Sequence, residues 1–169
     1  TVNPTNDFPV LSTIDAQSID EDSSLTLTLS ASDIDSSDLT FSATNGESDI
    51  TVDGTTLTIT PPEDYFGSED VTVTVTDGAL FDETVFTLTV NPVNDAPTLD
   101  DLSDASVDED NIYTLELSGE DVDGDALTFL ASVDANGSAS IDSTTLSVTP
   151  NQDYNGDLTV NVIASDGQA

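Results

Sequence analysis

An internal repeat is the feature that most constrains the fold: the sequence overlays itself when it is displaced by 88 residues. Asn6-Asp7 then matches Asn94-Asp95, and "DED" at Asp20–Asp22 matches "DED" at Asp108–Asp110. After a one-residue insertion the displacement becomes 89, and "EDYFG" matches "QDYNG". A tandem repeat of this length predicts two consecutive domains with one fold. We place these domains at residues 1–92 and 93–169.

Each copy alternates apolar residues with Thr or Ser, which is the pattern of a half-buried β-strand. The clearest runs are Ser24–Ala31, Leu39–Ala43, Thr56–Thr60, Asp70–Thr76 and Thr84–Val90. With an edge pairing around Val10-Leu11 and Ile19, each copy has about seven strands. This predicts an all-β chain of two tandem Greek-key β-sandwiches. The ordered alternation argues against disorder, which 36% hydrophobic content and a high net charge would otherwise indicate.

The second copy stops before the counterpart of Thr84–Val90, so we predict that it lacks its last strand in this chain. Its final residues, Gly167-Gln168-Ala169, stand level with Gly78-Ala79-Leu80. We expect both ends of the sequence to lie inside a longer array of repeats. An exposed sheet edge invites pairing, so a filament subunit completed by a strand from a neighbouring chain is an alternative organisation.

The charge is one-sided: Asp and Glu number 35, whereas Lys, Arg and His are absent, which gives a net charge of −35. No carboxylate can pair with a basic side chain of this chain, so the repulsion must be relieved by hydration, salt or an external cation. Binding to nucleic acid or to an anionic membrane surface is disfavoured, because no side chain can neutralise a phosphate. No run is long enough to span a membrane, and no signal peptide is visible.

Enzyme activity is not expected, because His, Cys, Lys and Arg are all missing as base, nucleophile or oxyanion clamp. Paired carboxylates can cleave a glycoside, but such an enzyme also needs a cleft and usually aromatic platforms. The chain has three Tyr and no Trp.

The acids recur at equivalent strand ends and turns of the two copies. Clustered carboxylates, Asn side chains and backbone carbonyls make an oxygen-only site, and Ca²⁺ takes six to eight such ligands in loose geometry. Mg²⁺ demands octahedral geometry, whereas zinc, copper, haem and iron–sulfur sites need His, Cys or Met. The pattern therefore predicts Ca²⁺ as the cofactor.

These residues resemble the cadherin repeat, and still more the cadherin-like tandem repeats of large bacterial surface adhesins. "VNPVNDAP" resembles the family linker, "DED" its first-loop acid, and "VTVTDGALFDETVFTLTV" its last two strands. The resemblance covers nearly the whole chain and implies a cadherin/immunoglobulin-like fold with up to three Ca²⁺ at each junction. Carried over residue by residue, it implies ligands at the central junction from Glu21, Asp22, Asp64, Asn94, Asp95, Asp121, Asp123 and Asp166.

Two further ligand sets follow from the resemblance. A preceding module would complete Asn6, Asp7, Asp33, Asp35 and Asp77, and a following one would use Glu109 and Asp153. The chain departs from the family in two places: "PEDYFG" replaces the Asp-Arg-Glu segment, and Ala96 replaces the second linker Asn. Two ions are therefore expected where cadherins hold three.

Simpler roles stand beside these. Asp53 and Asp142 precede ordinary turn residues, and the Asp-Gly and Asp-x-Asp acids also suit solvated turns. Tyr65 and Tyr154 are expected to pack at the core with a hydrogen-bonded hydroxyl rather than to stack on a ligand.

The resemblance implies a calcium-rigidified spacer, or extender, of an extracellular adhesin or surface filament. Its partners would be neighbouring repeats of the same or adjacent chains, with cell-surface or carbohydrate ligands bound through other domains. The alternatives are direct adhesion, either homophilic or to carbohydrate, and halophilic solvation by acids that form no specific sites.

Overall fold

The computed structural model describes residues 1, 3 and 5–168. Val2, Pro4 and Ala169, which include part of the restated linker phrase, lie outside the described residues. The chain divides into two compact units, Thr1–Val93 and Asn94–Ala169. The regular structure of the described residues consists of β-strands alone, which confirms the all-β prediction. No helix among them is long and apolar enough to cross a membrane.

The described part of the first unit contains nine β-strands. They are β1 (Val10–Leu11), β2 (Gln17–Asp20), β3 (Leu25–Thr28), β4 (Ala31–Ser32), β5 (Thr40–Thr44), β6 (Asp49–Asp53), β7 (Thr56–Thr60), β8 (Gly67–Thr76) and β9 (Phe81–Asn91). One sheet has the order β2-β9-β8-β5, and the facing strands form β3-β7-β6 and the small pair β1-β4. All pairs are antiparallel except β2 with β9, which run parallel.

The core of the first unit follows from the alternation within its strands. On β8, Val71, Val73 and Val75 are fully buried, whereas the intervening threonines are partly exposed. They pack with Leu57 and Ile59 of β7, which are also fully buried. Each such side chain contributes about 1.5–3 kcal/mol to stability relative to an exposed one. A slip by one residue would expose all of them, so the face of the strand that points inward is strongly fixed.

The described part of the second unit contains seven β-strands. They are β10 (Thr98–Leu99), β11 (Tyr113–Glu116), β12 (Gly119–Glu120), β13 (Thr128–Val133), β14 (Gly137–Asp142), β15 (Thr145–Pro150) and β16 (Val160–Ser165). They form the antiparallel sheets β11-β15-β14, β13-β16 and β10-β12. The buried cluster is smaller than in the first unit and consists of Leu117, Phe129, Leu146 and Val148.

The described residues of the second unit, which reach Gln168, include no counterpart of β9, as predicted for this chain. Among the described strands, β16 pairs only with β13, whereas its counterpart β8 is paired on both sides. The segment Ala105–Asp108, which corresponds to β2, is not a strand. In the first unit the partner of β2 is β9.

The sequence prediction missed β6 and β14, and it did not separate β1 from β2. Val10–Leu11 pairs with β4, whereas Ile19 lies in β2 and pairs with β9 in the other sheet. The first strand therefore crosses from one sheet to the other after Leu11. The amide of Ser12, which donates to the carbonyl of Ser30 at 2.9 Å, ends the first pairing.

Tyr65 and Tyr154 pack against a glycine two residues later in each unit. Gly67 and Gly156 have φ values of 148° and 151°. A Cβ on Gly156 would lie 2.8 Å from the Tyr154 hydroxyl oxygen, so the ring requires glycine there. The Tyr154 hydroxyl donates to the carbonyl of Asp157 at 2.9 Å, which is the packing role expected for this residue.

Candidate metal centres

The predicted site residues, together with Asp110, fall into two groups in each unit. The groups flank strand β8 in the first unit and its counterpart β16 in the second. The entry cluster follows that strand and includes the Asn-Asp pair at the start of the unit. It consists of Asn6, Asp7, Asp33, Asp35 and Asp77 in the first unit and of Asn94, Asp95, Asp121, Asp123 and Asp166 in the second. The exit cluster precedes that strand. It consists of Glu21, Asp22 and Asp64 in the first unit and of Glu109, Asp110 and Asp153 in the second.

Hydrogen bonds tie together the entry cluster of the second unit. The Asn94 side-chain amide donates to Asp166 Oδ2 at 2.6 Å, although these residues are 72 positions apart. The backbone amide of Asp95 donates to Asp123 Oδ2 at 2.8 Å. The fold therefore gathers the Asn-Asp pair, the Asp-x-Asp loop after β12 and the turn after β16.

The first unit repeats this arrangement with the equivalent atoms. The Asn6 amide donates to Asp77 Oδ2 at 2.6 Å, and the amide of Asp7 donates to Asp35 Oδ2 at 3.1 Å. Two copies with different surrounding sequence thus keep the same contacts, so the cluster is a property of the repeat.

Asp33 and Asp121 occupy equivalent positions, and each has one satisfied and one unsatisfied carboxylate oxygen. Asp33 Oδ1 accepts from the amides of Asp35 and Ser36 at 2.9 and 3.0 Å. Asp121 Oδ1 accepts from the amide of Asp125 at 3.0 Å. The other oxygen, Oδ2, is shielded from solvent in both residues and has no hydrogen-bond partner among the described residues. Burying a charged acceptor without a partner is costly, so these two oxygens need a positive counterpart.

The electrostatics of the first entry cluster favour ionised carboxylates at two positions. The backbone amides of Leu80 and Ala79, both 2.7 Å from Asp77 Oδ1, lower the pKa of Asp77. The backbone amide of Asp35 lowers the pKa of Asp33, whereas the neighbouring Asp33 side chain raises the pKa of Asp35. Asp33 and Asp77 therefore hold negative charge to lower pH than ordinary aspartates.

The exit cluster is built on two aspartates with left-handed backbones. The amide of Asp64 donates to Asp22 Oδ1 at 3.2 Å, and the φ angles of these residues are 56° and 58°. In the second unit the amide of Asp153 donates to Asp110 Oδ1 at 3.1 Å, with φ angles of 57° and 64°. Left-handed geometry is uncommon outside glycine, and Asp tolerates it better than most residues. Asp110 was missed as a site residue, although it aligns with Asp22.

Glu21 and Glu109 differ although they align. Glu21 is only 4% exposed, and its Oε1 accepts a hydrogen bond from the amide of Val93, two residues after the end of β9. Glu109 is exposed.

A buried carboxylate outside the clusters, Glu69, was also missed. It is 7% exposed, and its Oε2 accepts from the Asn45 side chain at 2.9 Å and from the amides of Glu47 and Ser48. Its Oε1 accepts from the Ser48 hydroxyl. This carboxylate is already satisfied and serves to hold the β5–β6 loop. The phase of β8 could have revealed it, because Glu69 shares the inward face with Val71.

The donor set of the clusters consists of carboxylates, Asn amides and backbone carbonyls, which suits a hard cation such as Ca²⁺. Carboxylate groups close enough to hold a metal ion occur among the described residues.

Comparisons with known proteins place these features in a family. The family model described as "Bacterial Ig domain" matches residues 6–91 and again residues 94–169. "Chitinase A" of Pseudoalteromonas piscicida is 37% identical over 110 residues, which are 62% of this chain but 13% of that protein. This chain thus spans a small part of the curated relative.

Two solved structures align with nearly the whole chain. Human protocadherin-24 EC1-2 aligns with 95% of this chain and 94% of its own length, at 15% identity and a TM-score of 0.50. An endo-fucoidan hydrolase of glycoside hydrolase family 107 aligns with 97% of this chain and 29% of its own, at 22% identity and a TM-score of 0.44.

Bacterial Ig domains are usually extracellular or surface-exposed, and Ig and cadherin-like folds are typically non-enzymatic. The family match covers both copies of the repeat and agrees with their sandwich-like sheets. The chain is therefore a tandem pair of domains that belongs to the bacterial Ig domain family.

Proposed function

We propose that this chain is a structural spacer of an extracellular bacterial protein, and that Ca²⁺ bound by its acidic clusters makes it rigid. The observation that carries the proposal is the pair of buried oxygens, Oδ2 of Asp33 and Oδ2 of Asp121, which have no hydrogen-bond partner in the described structure. They occupy the same position in two copies of the repeat. A chain without Lys, Arg or His must obtain the balancing charge from outside.

The charge density gives a bound cation a large effect. Two like charges about 4 Å apart repel by about 4 kcal/mol at an effective dielectric constant of about 20. The entry clusters each gather four aspartates with an Asn. A divalent ion turns this repulsion into attraction, and because it binds the folded clusters it stabilises the folded chain.

The linker offers a reason for rigidity. The amide of Val93 is hydrogen-bonded by Glu21 of the first exit cluster, and the amide of Asp95 is hydrogen-bonded by Asp123 of the second entry cluster. These amides are two residues apart. Because consecutive Cα atoms are 3.8 Å apart, the Cα atoms of Val93 and Asp95 are at most about 7.6 Å apart. We therefore propose that both clusters supply ligands to shared ions at the linker. The proposed ligands are Glu21, Asp22, Asp64, Asn94, Asp95, Asp121, Asp123 and Asp166.

The remaining clusters are proposed to act in the same way with further repeats. The first entry cluster would bind with a preceding repeat, and the second exit cluster, which includes Glu109, Asp110 and Asp153, with a following one. The partners are thus neighbouring repeats of the same or adjacent chains. Ligands of a cell surface or a carbohydrate would be bound by other domains.

A non-enzymatic role fits the family and the missing catalytic side chains. The relative named Chitinase A carries the similar region in 13% of its length, as expected for an accessory module of a larger protein. We propose the same accessory role here, with the chain secreted or displayed at the cell surface.

Calcium titration of the chain tests the proposal. Melting temperature and solution dimensions are measured in CaCl₂ and in KCl at equal ionic strength. At a free concentration of 100 times Kd, one site adds about 2.7 kcal/mol of stability, so the melting temperature rises in CaCl₂ and the dimensions reach a fixed value. If KCl stabilises the chain as well as CaCl₂ does, the acids serve general solvation and the proposal is wrong.

Matched variants assign the effect to the clusters. Asp121→Asn removes one charge and the buried oxygen, whereas Asp142→Asn removes one charge from a turn of the same unit. The calcium-dependent rise should fall for Asp121→Asn and remain for Asp142→Asn. Equal responses of the two variants would refute the assignment.

A further inference from the structure

The loop between β5 and β6 contains an Asn-Gly pair, Asn45-Gly46, that lies outside the acidic clusters. Gly46 is exposed, and a Cβ at this position would meet nothing within 4 Å. Because no Cβ shields the Gly46 amide nitrogen and glycine is conformationally free, that nitrogen can attack the side-chain carbonyl carbon of the preceding asparagine. The loop therefore carries both partners of an intramolecular ring closure.

The ring closure and its resolution need no reagent other than water. The Gly46 nitrogen forms a bond to Asn45 Cγ, the Cγ–Nδ2 bond breaks, and the proton of the Gly46 amide leaves with Nδ2 as ammonia. Water then opens the cyclic succinimide. Opening at Cγ gives an aspartate at position 45, and opening at the backbone carbonyl gives an isoaspartyl linkage. Both products add a carboxylate to the loop.

The buried carboxylate of Glu69 holds the loop on both sides of the reacting bond. The Asn45 side-chain amide donates to Glu69 Oε2 at 2.9 Å. The same oxygen accepts from the backbone amides of Glu47 and Ser48 at 3.1 and 3.3 Å, so the chain after Gly46 is anchored as well. Ring closure removes Asn45 Nδ2 and therefore requires the loss of its hydrogen bond to a charged, shielded acceptor.

The second unit carries the opposite combination of residues at these two positions. Asp134 occupies the position of Asn45, and Leu158 occupies that of Glu69. The Asp134 carboxylate itself accepts from a loop amide, that of Asn136, at 2.9 Å. Each unit therefore uses one carboxylate at this place, either on the loop or on the strand that faces it. A second carboxylate, at position 45 of the first unit, would face Glu69 and repel it.

We propose that Asn45-Gly46 is a site of spontaneous deamidation and that Glu69 is the positioning residue that suppresses the reaction. While the Asn45 side chain is bound to Glu69, the ring closes slowly. Loss of this contact releases the side chain, and the product then carries a carboxylate where an amide donor had faced Glu69. The modified loop cannot restore its original contact. The reaction uses no metal ion, so its outcome is independent of the calcium proposal.

The variant Glu69→Leu, made in the full chain and incubated in mildly alkaline buffer, tests the proposal. Deamidation at Asn45 should be about tenfold to hundredfold faster than in the unchanged chain, which is the factor that corresponds to one hydrogen bond to a charged acceptor. Mass spectrometry follows the reaction after cleavage beside Glu, because the chain has no Lys or Arg for trypsin. An equal rate would overturn the proposal, and a slower one would make Glu69 a promoter of ring closure.

Two control variants separate the loss of this contact from changes of charge or stability. Glu47→Gln removes a charge from the same loop but keeps the backbone amide that donates to Glu69. Val73→Ala opens a cavity at a fully buried position of β8 and destabilises the first unit without removing a contact of Glu69. Both should leave the rate at Asn45 close to that of the unchanged chain. If Val73→Ala accelerates the reaction as much as Glu69→Leu does, unfolding is the cause and the proposal is wrong.

The variant Asn45→Asp reproduces one product and gives an independent measurement. It exchanges the amide donor for a carboxylate that faces Glu69, so the melting temperature of the first unit should fall by at least about 4 °C. In the Glu69→Leu background the same change should cost less, because the facing charge is gone. An equal fall of the melting temperature in both backgrounds would contradict the proposed opposition between Glu69 and the modified residue.

Discussion

Replacement of Glu69 with Leu provides a stringent test of how the first unit is held together. Glu69 is the one position of the inward β8 face that carries a charge, and its carboxylate receives four donors. Leucine fits the apolar face but accepts none of them. The Ser48 amide and hydroxyl are the costly losses, because Ser48 is 8% exposed, whereas Glu47 is exposed to water.

The magnitude follows from these two donors. A buried donor left without a partner costs about 1–3 kcal/mol, and burial of a leucine side chain returns about 1.5–3 kcal/mol. We expect a net loss of about 2 kcal/mol, which lowers the melting temperature of a domain of this size by roughly 8–16 °C.

The second unit suggests how to rescue this variant. Leu158 occupies the position of Glu69 there, and Gly137 occupies the position of Ser48. A Cβ on Gly137 would lie 3.0 Å from the carbonyl oxygen of Thr149 and 3.4 Å from a methyl group of Leu158, so Gly137 and Leu158 are direct neighbours there. The double variant Glu69→Leu with Ser48→Gly should therefore show a favourable coupling energy of about 1 kcal/mol.

Calorimetry of the full chain measures both effects, with Asp70→Asn as the control. Asp70 neighbours Glu69 on β8 but accepts only an exposed hydrogen bond from the Thr87 hydroxyl, so its loss should cost less than about 1 kcal/mol. If Glu69→Leu costs no more than Asp70→Asn, or if the coupling is absent, the buried carboxylate does not hold the loop.

Two further outcomes are expected in the second unit. Gly156→Ala should destabilise this unit by about 1–3 kcal/mol, because the new Cβ collides with the Tyr154 hydroxyl and the residue has a φ of 151°. A melting experiment measures the loss. Gly46→Ala is the control, since a Cβ at Gly46 has no atom within 4 Å. The hydroxyls of Thr145 and Thr144 lower the pKa of Glu116, so its contribution is present above the unfolded pKa and is lost as pH falls through the folded one. Glu116→Gln should therefore flatten the fall of melting temperature in acid, and an unchanged acid slope would contradict this account.

The strands were predictable where one face is apolar. Runs such as Asp70–Thr76 alternate without interruption, and β8 and β9 contain them as predicted. The pairing of Val10–Leu11 was not predictable from its residues alone, because the strand changes sheets after two residues. Strand β6 alternates equally well, but "DITVD" is short and bounded by acids.

The candidate sites were predictable as groups but not in their energetics. The sequence places Asn94 and Asp166 in one set, and the fold joins them across 72 positions. The buried, unpartnered oxygens of Asp33 and Asp121 depend on how the loops close over them, which no local pattern reveals. The sequence does not single out Glu69, because acids are common in this chain and a buried one is rare.

The parallel pairing of β2 with β9 has a mechanical consequence for the first unit. A force on its two ends pulls the two strands in opposite directions along their common axis. Their register, from Gln17 opposite Leu88 to Asp20 opposite Asn91, lies across that load. All interstrand hydrogen bonds of the pair are then sheared together rather than broken one by one. In a tether under flow, the first unit would resist extension through this short ladder.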